Sequence, residues 1–180
     1  IADATAGTLH EVRVYLIRHG HAVDVEGTLS DEQRYLTKKG RKTVREVGRV
    51  LKEAGVELDA VLTSPLVRAT QTAELVAERL DYLGVIEALP ALVPGVPPRV
   101  AASELPSRGA AVAVVGHEPG ISMLCAYLAG RPSFPPLQKA QVVLIEDGRA
   151  QWFVHPETLE RRHLGFTRPF RKSAMASGGD

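Results

Sequence analysis

Three apolar runs alternate with longer amphipathic stretches along this chain, and each run ends in a polar cluster. Val12-Arg13-Val14-Tyr15-Leu16-Ile17 leads into Arg18-His19-Gly20. Ala60-Val61-Leu62-Thr63 leads into Ser64-Pro65, and Ala111-Val112-Ala113-Val114-Val115 leads into Gly116-His117-Glu118-Pro119. Such short runs predict buried strands, and the third, apolar throughout, predicts a strand covered on both faces. Between the first two, Val44, Val47, Leu51 and Ala54 recur at helical spacing. Thr37 is an N-cap for a helix starting at Lys38, and Gly55 ends it. Gly40 and Gly48 weaken that helix, each by about 1 kcal/mol relative to alanine. A second helix opens at Ser64-Pro65 and runs to the neighbourhood of Leu80, with Pro65 in the first turn, where its missing N–H costs nothing.

Further along, Val85-Ile86-Glu87 reads as a short strand, residues 90–98 as a Pro- and Gly-rich loop, and residues 100–105 as a short helix. Another helix starts at Gly120 and extends towards Leu128. Residues 142–146 and 150–154, joined through Asp147-Gly148, read as a hairpin that closes the sheet. Alternating strands and helices imply a three-layer α/β/α sandwich with a mostly parallel central sheet. A chain of 180 residues suits one domain. Its expected extent is 12–160, between an N-terminal extension, 1–11, and a basic C-terminal tail, 161–180, with Arg161, Arg162, Arg168, Arg171 and Lys172. The tail reads as a solvated end rather than a nucleic-acid arm.

Charge narrows the function. With 22 basic and 21 acidic residues the net charge is +1, so no global field recruits nucleic acid or a membrane, and anion binding must be local. The one cysteine, Cys125, lies in an apolar stretch and reads as a core residue; it forms no internal disulfide or cysteine metal cluster and suits a reducing compartment. No stretch has the length and apolarity of a bilayer span, and residues 1–11 lack the pattern of a signal peptide. The expected state is a cytoplasmic monomer.

In an open α/β sheet, ligands bind beyond the carboxyl ends of the strands. A guanidinium and an imidazole delivered there together suggest phosphate chemistry. Leu16-Ile17-Arg18-His19-Gly20, Leu36-Thr37 with Gly40, the block from Thr63-Ser64-Pro65 through Arg68-Ala69-Thr70-Gln71-Thr72-Ala73-Glu74, and Val115-Gly116-His117-Glu118-Pro119 together resemble the histidine phosphatase (phosphoglycerate mutase-like) superfamily. The resemblance is nearest to the short bacterial phosphohistidine phosphatases of the SixA type. It implies that His19 is a nucleophile that becomes phosphorylated, that Arg18, Arg68 and His117 complete the phosphate pocket, and that no cofactor or metal takes part. Larger relatives insert a helical cap between the second and third sheet units. Too little chain separates Leu80 from Ala110 for a large one, so the pocket should be open and suit a histidine displayed on a phosphorylated protein.

The chemistry accounts for these residue types. Arginine forks match phosphate oxygens in pairs and stabilise charge on the transferring group. Their charge should also lower the pKa of His19 from about 6.5, keeping the attacking ring neutral. Its other nitrogen should donate to a carbonyl, such as one in the loop after Gly20, and His117, if protonated, would add a further donor. The proton donor is the open point: His21, Asp24 and Glu118 are candidates, His21 and Glu118 also as substrate contacts, while Glu87 lies upstream on a strand. A phosphohistidine needs the least help, because its imidazole leaving group has a conjugate-acid pKa of about 6.5. Alternative readings are a small-molecule phosphomonoester phosphatase and a non-catalytic phospholigand-binding regulator. A metal-dependent hydrolase built on His19, His21 and His117 is the remaining one. His19 and His117 also have bland readings, as a core histidine and a helix cap, and Arg68 could pair with Glu74. His10, His155 and His163 read as surface or packing residues. The run Lys38, Lys39, Arg41 and Lys42 reads as a solvated helix start, with docking of an acidic partner as the sharper alternative.

Overall fold

Along the first strand, β1 (Arg13–Arg18), side chains alternate between two separate cores. Val14 and Leu16 join Val112, Val114, Leu124 and Cys125 on one side, whereas Tyr15 and Ile17 join Val44, Val47, Val76 and Val115 on the other. The computed structural model describes residues 8–25, 27 and 29–164. Its other strands are β2 (Ala60–Thr63), β3 (Ile86–Ala88), β4 (Ala111–Gly116), β5 (Val142–Glu146), β6 (Arg149–Val154) and β7 (Arg161–His163). Helices α1 (Lys38–Glu53) and α2 (Val67–Arg79) cover one face, and α3 (Pro98–Glu104) and α4 (Gly120–Leu128) cover the other. This is the expected three-layer sandwich.

The sheet order is β3-β2-β4-β1-β5-β6-β7. It is parallel from β3 to β1 and antiparallel from β1 to β7, so β1 is the seam between the two halves. All of β4 is buried, as its unbroken apolar run requires. β7 was not foreseen: Arg161–His163, assigned by sequence to the tail, pairs with β6. Its exposed side chains, including Arg161 stacked 5.6 Å from the Trp152 ring centre, put charge on an edge strand, where charge discourages further pairing. Arg168, Arg171 and Lys172 lie outside the described residues.

Two boundaries shift for local reasons. α2 begins at Val67 rather than at Pro65, because Leu66 is extended (φ −68°, ψ 136°) and turns its N–H to the Ser64 hydroxyl at 3.3 Å. α3 starts at Pro98, with proline at the first helical position, the place expected for Pro65 in α2. The glycines that weaken α1 permit close approach. A methyl group at Gly48 would meet Cβ of Arg79 on α2 at 2.8 Å, and one at Gly40 would collide with the His21 carbonyl. Between β3 and α3 the chain makes only a 3-10 turn at Pro90–Leu92 and a loop, and no cap domain is present among the described residues.

Candidate active site

The polar residues that end β1, β2 and β4 meet because these strands are adjacent, parallel and in register. Arg18 pairs with Gly116, and Thr63 with Val115. The register continues past the strand ends: the His19 N–H donates to the Gly116 carbonyl (3.0 Å) and the Ser64 N–H to that of Val115 (2.9 Å). The next turn of chain from β2 delivers Arg68 in the first turn of α2. His19, Arg68 and His117 are each less than a tenth exposed, and the two histidine rings lie 5.0 Å apart between centres, tilted by 51°.

His19 Nδ1 lies 2.7 Å from the Gly20 carbonyl oxygen. A carbonyl only accepts, so Nδ1 carries the proton and Nε2 keeps its lone pair. The Gly20 peptide is itself held: its N–H donates to the Thr72 hydroxyl at 3.0 Å, which donates to the Arg68 carbonyl at 2.7 Å. Burial pushes the His19 pKa down to about 4, opposed by the Gly20 carbonyl and assisted by Arg68, Arg18 and Lys139. The arginines thus act in the expected direction, but burial is the larger cause. On the far side of the ring pair, His117 Nε2 lies 2.8 Å from the Ser64 hydroxyl. Burial first, then His19, Arg68 and Arg18, lower its pKa to about 3 against the pull of Asp31. His117 is therefore neutral near pH 7, so the further donor that a protonated ring would add is not available there.

Each arginine is anchored by part of its fork. Arg18 Nη1 donates to the Leu137 carbonyl (2.7 Å), and the Leu137 N–H donates to Glu118 Oε1 (2.8 Å). The second Glu118 oxygen accepts from the Ser122 hydroxyl at 2.6 Å, so Glu118 braces the loop that holds Arg18. Arg68 pairs with Asp31, not Glu74: Nη1 donates to the Asp31 carbonyl (2.7 Å) and Nη2 to its carboxylate (3.0 Å). Three buried side-chain nitrogens have no partner among the described residues: Arg18 Nε, Arg68 Nε and His117 Nδ1. Buried polar groups are almost always paired. All three of these belong to the same cluster around His19, and an anion would satisfy them.

The other candidates lie apart. His21 is exposed and bonds Thr37 Oγ1 through Nδ1 at 3.0 Å, so it does not join His19 and His117 in a three-imidazole group. Asp24 is exposed, and Glu87 is ion-paired with Arg108 at 2.8 Å. Among the described residues no group of three or more His, Cys, Asp or Glu side chains is disposed to hold a metal. Burial raises the Cys125 thiol pKa, which fits a core residue. Sequence reasoning did not assign Asp31, Thr72, Ser64 or Gln71 to the site. Gln71 Oε1 accepts the Leu36 N–H (2.7 Å), so the Gln71-Thr72 pair ties the loop after β1 to α2. Its place in the quoted motif was the available signal. Asp31 had none, being a loop residue far from Arg68 in the chain.

Comparison with known proteins gives the same picture. The sequence model of the histidine phosphatase superfamily (branch 1) matches residues 14–93. The serine/threonine-protein phosphatase Pgam5, mitochondrial, of Drosophila persimilis is 40% identical over 73 residues, or 41% of this chain and 25% of that protein. The chain thus spans about a quarter of the length of the curated relatives it matches. Among solved structures, the protein histidine phosphatase SixA complexed with tungstate superposes with a TM-score of 0.76 at 29% identity, covering 83% of this chain and 100% of that one. The alpha-ribazole phosphatase from Shigella flexneri superposes at 0.59 with 20% identity, over 77% and 93% of the two chains, a likeness of fold.

Proposed function

We propose, from the match of residues 14–93 to the histidine phosphatase superfamily model and the likeness to SixA, that the chain is a member of that superfamily and hydrolyses phosphohistidine on proteins through a phosphorylated His19, without a metal. His19 Nε2 attacks phosphorus in line, forming a new P–N bond as the bond to the substrate imidazole breaks and that imidazole takes a proton from solvent. Water then attacks the phosphorylated ring, displaces His19 and releases inorganic phosphate. The observation that carries this reading is the set of unpartnered donors, Arg18 Nε, Arg68 Nε and His117 Nδ1, beside a neutral, buried imidazole. Charge-assisted donors already in place stabilise the equatorial oxygens without reorganisation. With Ser64 donating to Nε2, a neutral His117 still offers Nδ1–H.

The substrate class follows from the lack, among the described residues, of a free acid at the site. Glu118 is bound to Ser122 and Leu137, while His21 and Asp24 are exposed. Asp31 is the carboxylate on Arg68, and its hydrogen bonds from Arg34 and Arg68 hold its pKa below the usual range. A group kept ionised is a poor donor to an alkoxide, whereas an imidazole leaves with little assistance. A phosphorylated protein is therefore the preferred partner. The test is turnover of a phosphohistidine protein beside a panel of phosphomonoesters, in the presence of EDTA, by wild type and His19→Ala. The expected result is phosphate release from phosphohistidine in wild type alone, with an acid-labile, base-stable phosphoryl group trapped on His19. Tight phosphate binding with no turnover and no adduct would make the protein a regulator instead.

A further inference from the structure

We infer that the cleft beside the phosphate pocket docks an acidic segment flanking the phosphorylated side chain of a protein substrate. The inference rests on the proposed function for its location next to the nucleophile. The cleft, of about 560 Å³, lies between the first turns of α1, the turn at Gln138-Lys139 and the chain at 156–159. His21, Lys39, Lys42, Lys139, Glu46 and Glu157 supply its ionisable lining. The three lysines are exposed, and among the described residues none is ion-paired. Glu46 is answered by Arg49 at 3.2 Å, so three free cations face one free carboxylate, Glu157. In a chain of net charge +1 this is a local concentration of positive charge.

The cleft shares no lining residue with the site but adjoins it through the chain on either side. His21 follows the nucleophile by two residues, and the charge of Lys139 acts on the His19 ring. The N–H of the next residue, Ala140, donates to the carbonyls of both Arg18 and His19 at 3.1 Å. Lys39 and Lys42 are one helical turn apart, roughly 5 Å along α1, so they meet carboxylates two residues apart on one face of an extended segment. A concave surface holding three cations at one end of a small domain fits a short acidic peptide. A duplex or a bilayer would need a broader basic face.

The test measures fluorescence anisotropy with His19→Ala protein, or His19→Asn should the alanine variant not fold. Two labelled peptides carry a stable phosphohistidine analogue, flanked in one by Glu and in the other by Gln. Exposed ion pairs are each worth about two- to threefold, so the Glu peptide should bind about tenfold more tightly at low salt. That preference should fall to about twofold or less with Lys39→Gln and Lys42→Gln together, and in about 0.5 M salt. Equal affinities at low salt, or a preference that survives the lysine substitutions, would overturn the docking cleft. Phosphate release by the wild-type protein is read separately, so a Glu preference without turnover keeps the cleft and removes the hydrolase.

Discussion

Asp31 holds Arg68 twice, through its backbone carbonyl at 2.7 Å and its carboxylate at 3.0 Å. The carbonyl fixes the guanidinium and the carboxylate offsets its charge, so an arriving phosphate competes with that carboxylate for the same fork. In the Asp31→Asn variant the carbonyl contact stays and the competing charge goes. Phosphate should then bind about three- to tenfold more tightly by titration calorimetry. Weaker binding would mean that the carboxylate serves chiefly to aim Arg68.

Burial sets the ionisation of both site histidines, and this fixes a pH prediction. With pKa values lowered to about 4 and about 3, His19 and His117 stay neutral well below pH 6.5. The acid limb of kcat/KM, which reports free enzyme and free substrate, should therefore show no His19 ionisation near 6.5. Nitrogen-resolved NMR titration of His19 checks this directly. Stability follows with a definite sign: below pH 6.5 the unfolded chain binds protons that the native rings refuse. The contribution is complete above about 6.5 and is lost as pH falls towards 4. Replacing either histidine by Gln should flatten that slope in denaturant melts.

Thr72 connects the Gly20 amide to α2, and Gly20 in turn fixes the protonated side of His19. The near-isosteric Thr72→Val leaves the buried Gly20 N–H unpaired, at a cost of about 1–3 kcal/mol. It should lower kcat about tenfold or more, with a smaller effect on KM, because the imidazole loses its aim rather than its pocket. A kcat equal to wild type would release Thr72 from this role.

Glu118 reaches Arg18 through a single residue, Leu137, whose N–H it accepts and whose carbonyl Arg18 holds. Glu118→Gln can still accept the Leu137 N–H, whereas Glu118→Ala cannot. The alanine variant should raise KM for phosphorylated substrates by about tenfold, the cost of one misplaced charge-assisted contact, and glutamine should restore most of it. Parallel melting curves separate this from general loss of stability.

Much of this arrangement was legible in the sequence, for reasons that also mark where reading stopped. The apolar runs gave β1, β2 and β4, and parallel crossovers then bring Arg18, His19 and His117 to one edge. Arg68 followed from its place in the first turn after β2. β7 escaped because Arg161–His163 is short, charged and on an edge, with no apolar face to betray it. Asp31 escaped because its partner is set by how the loop after β1 folds back onto α2, a contact with no local periodicity. The neutrality of His117 is a property of burial, which a linear motif does not record.

The seam at β1 has a consequence for how such a protein diversifies. On its parallel flank, one misplaced strand would dislodge the phosphate chemistry itself. Its antiparallel flank contributes returning turns, so insertions there can remodel which molecules are admitted and leave the reaction intact. Selectivity and catalysis can drift on separate evolutionary clocks while sharing one buried imidazole.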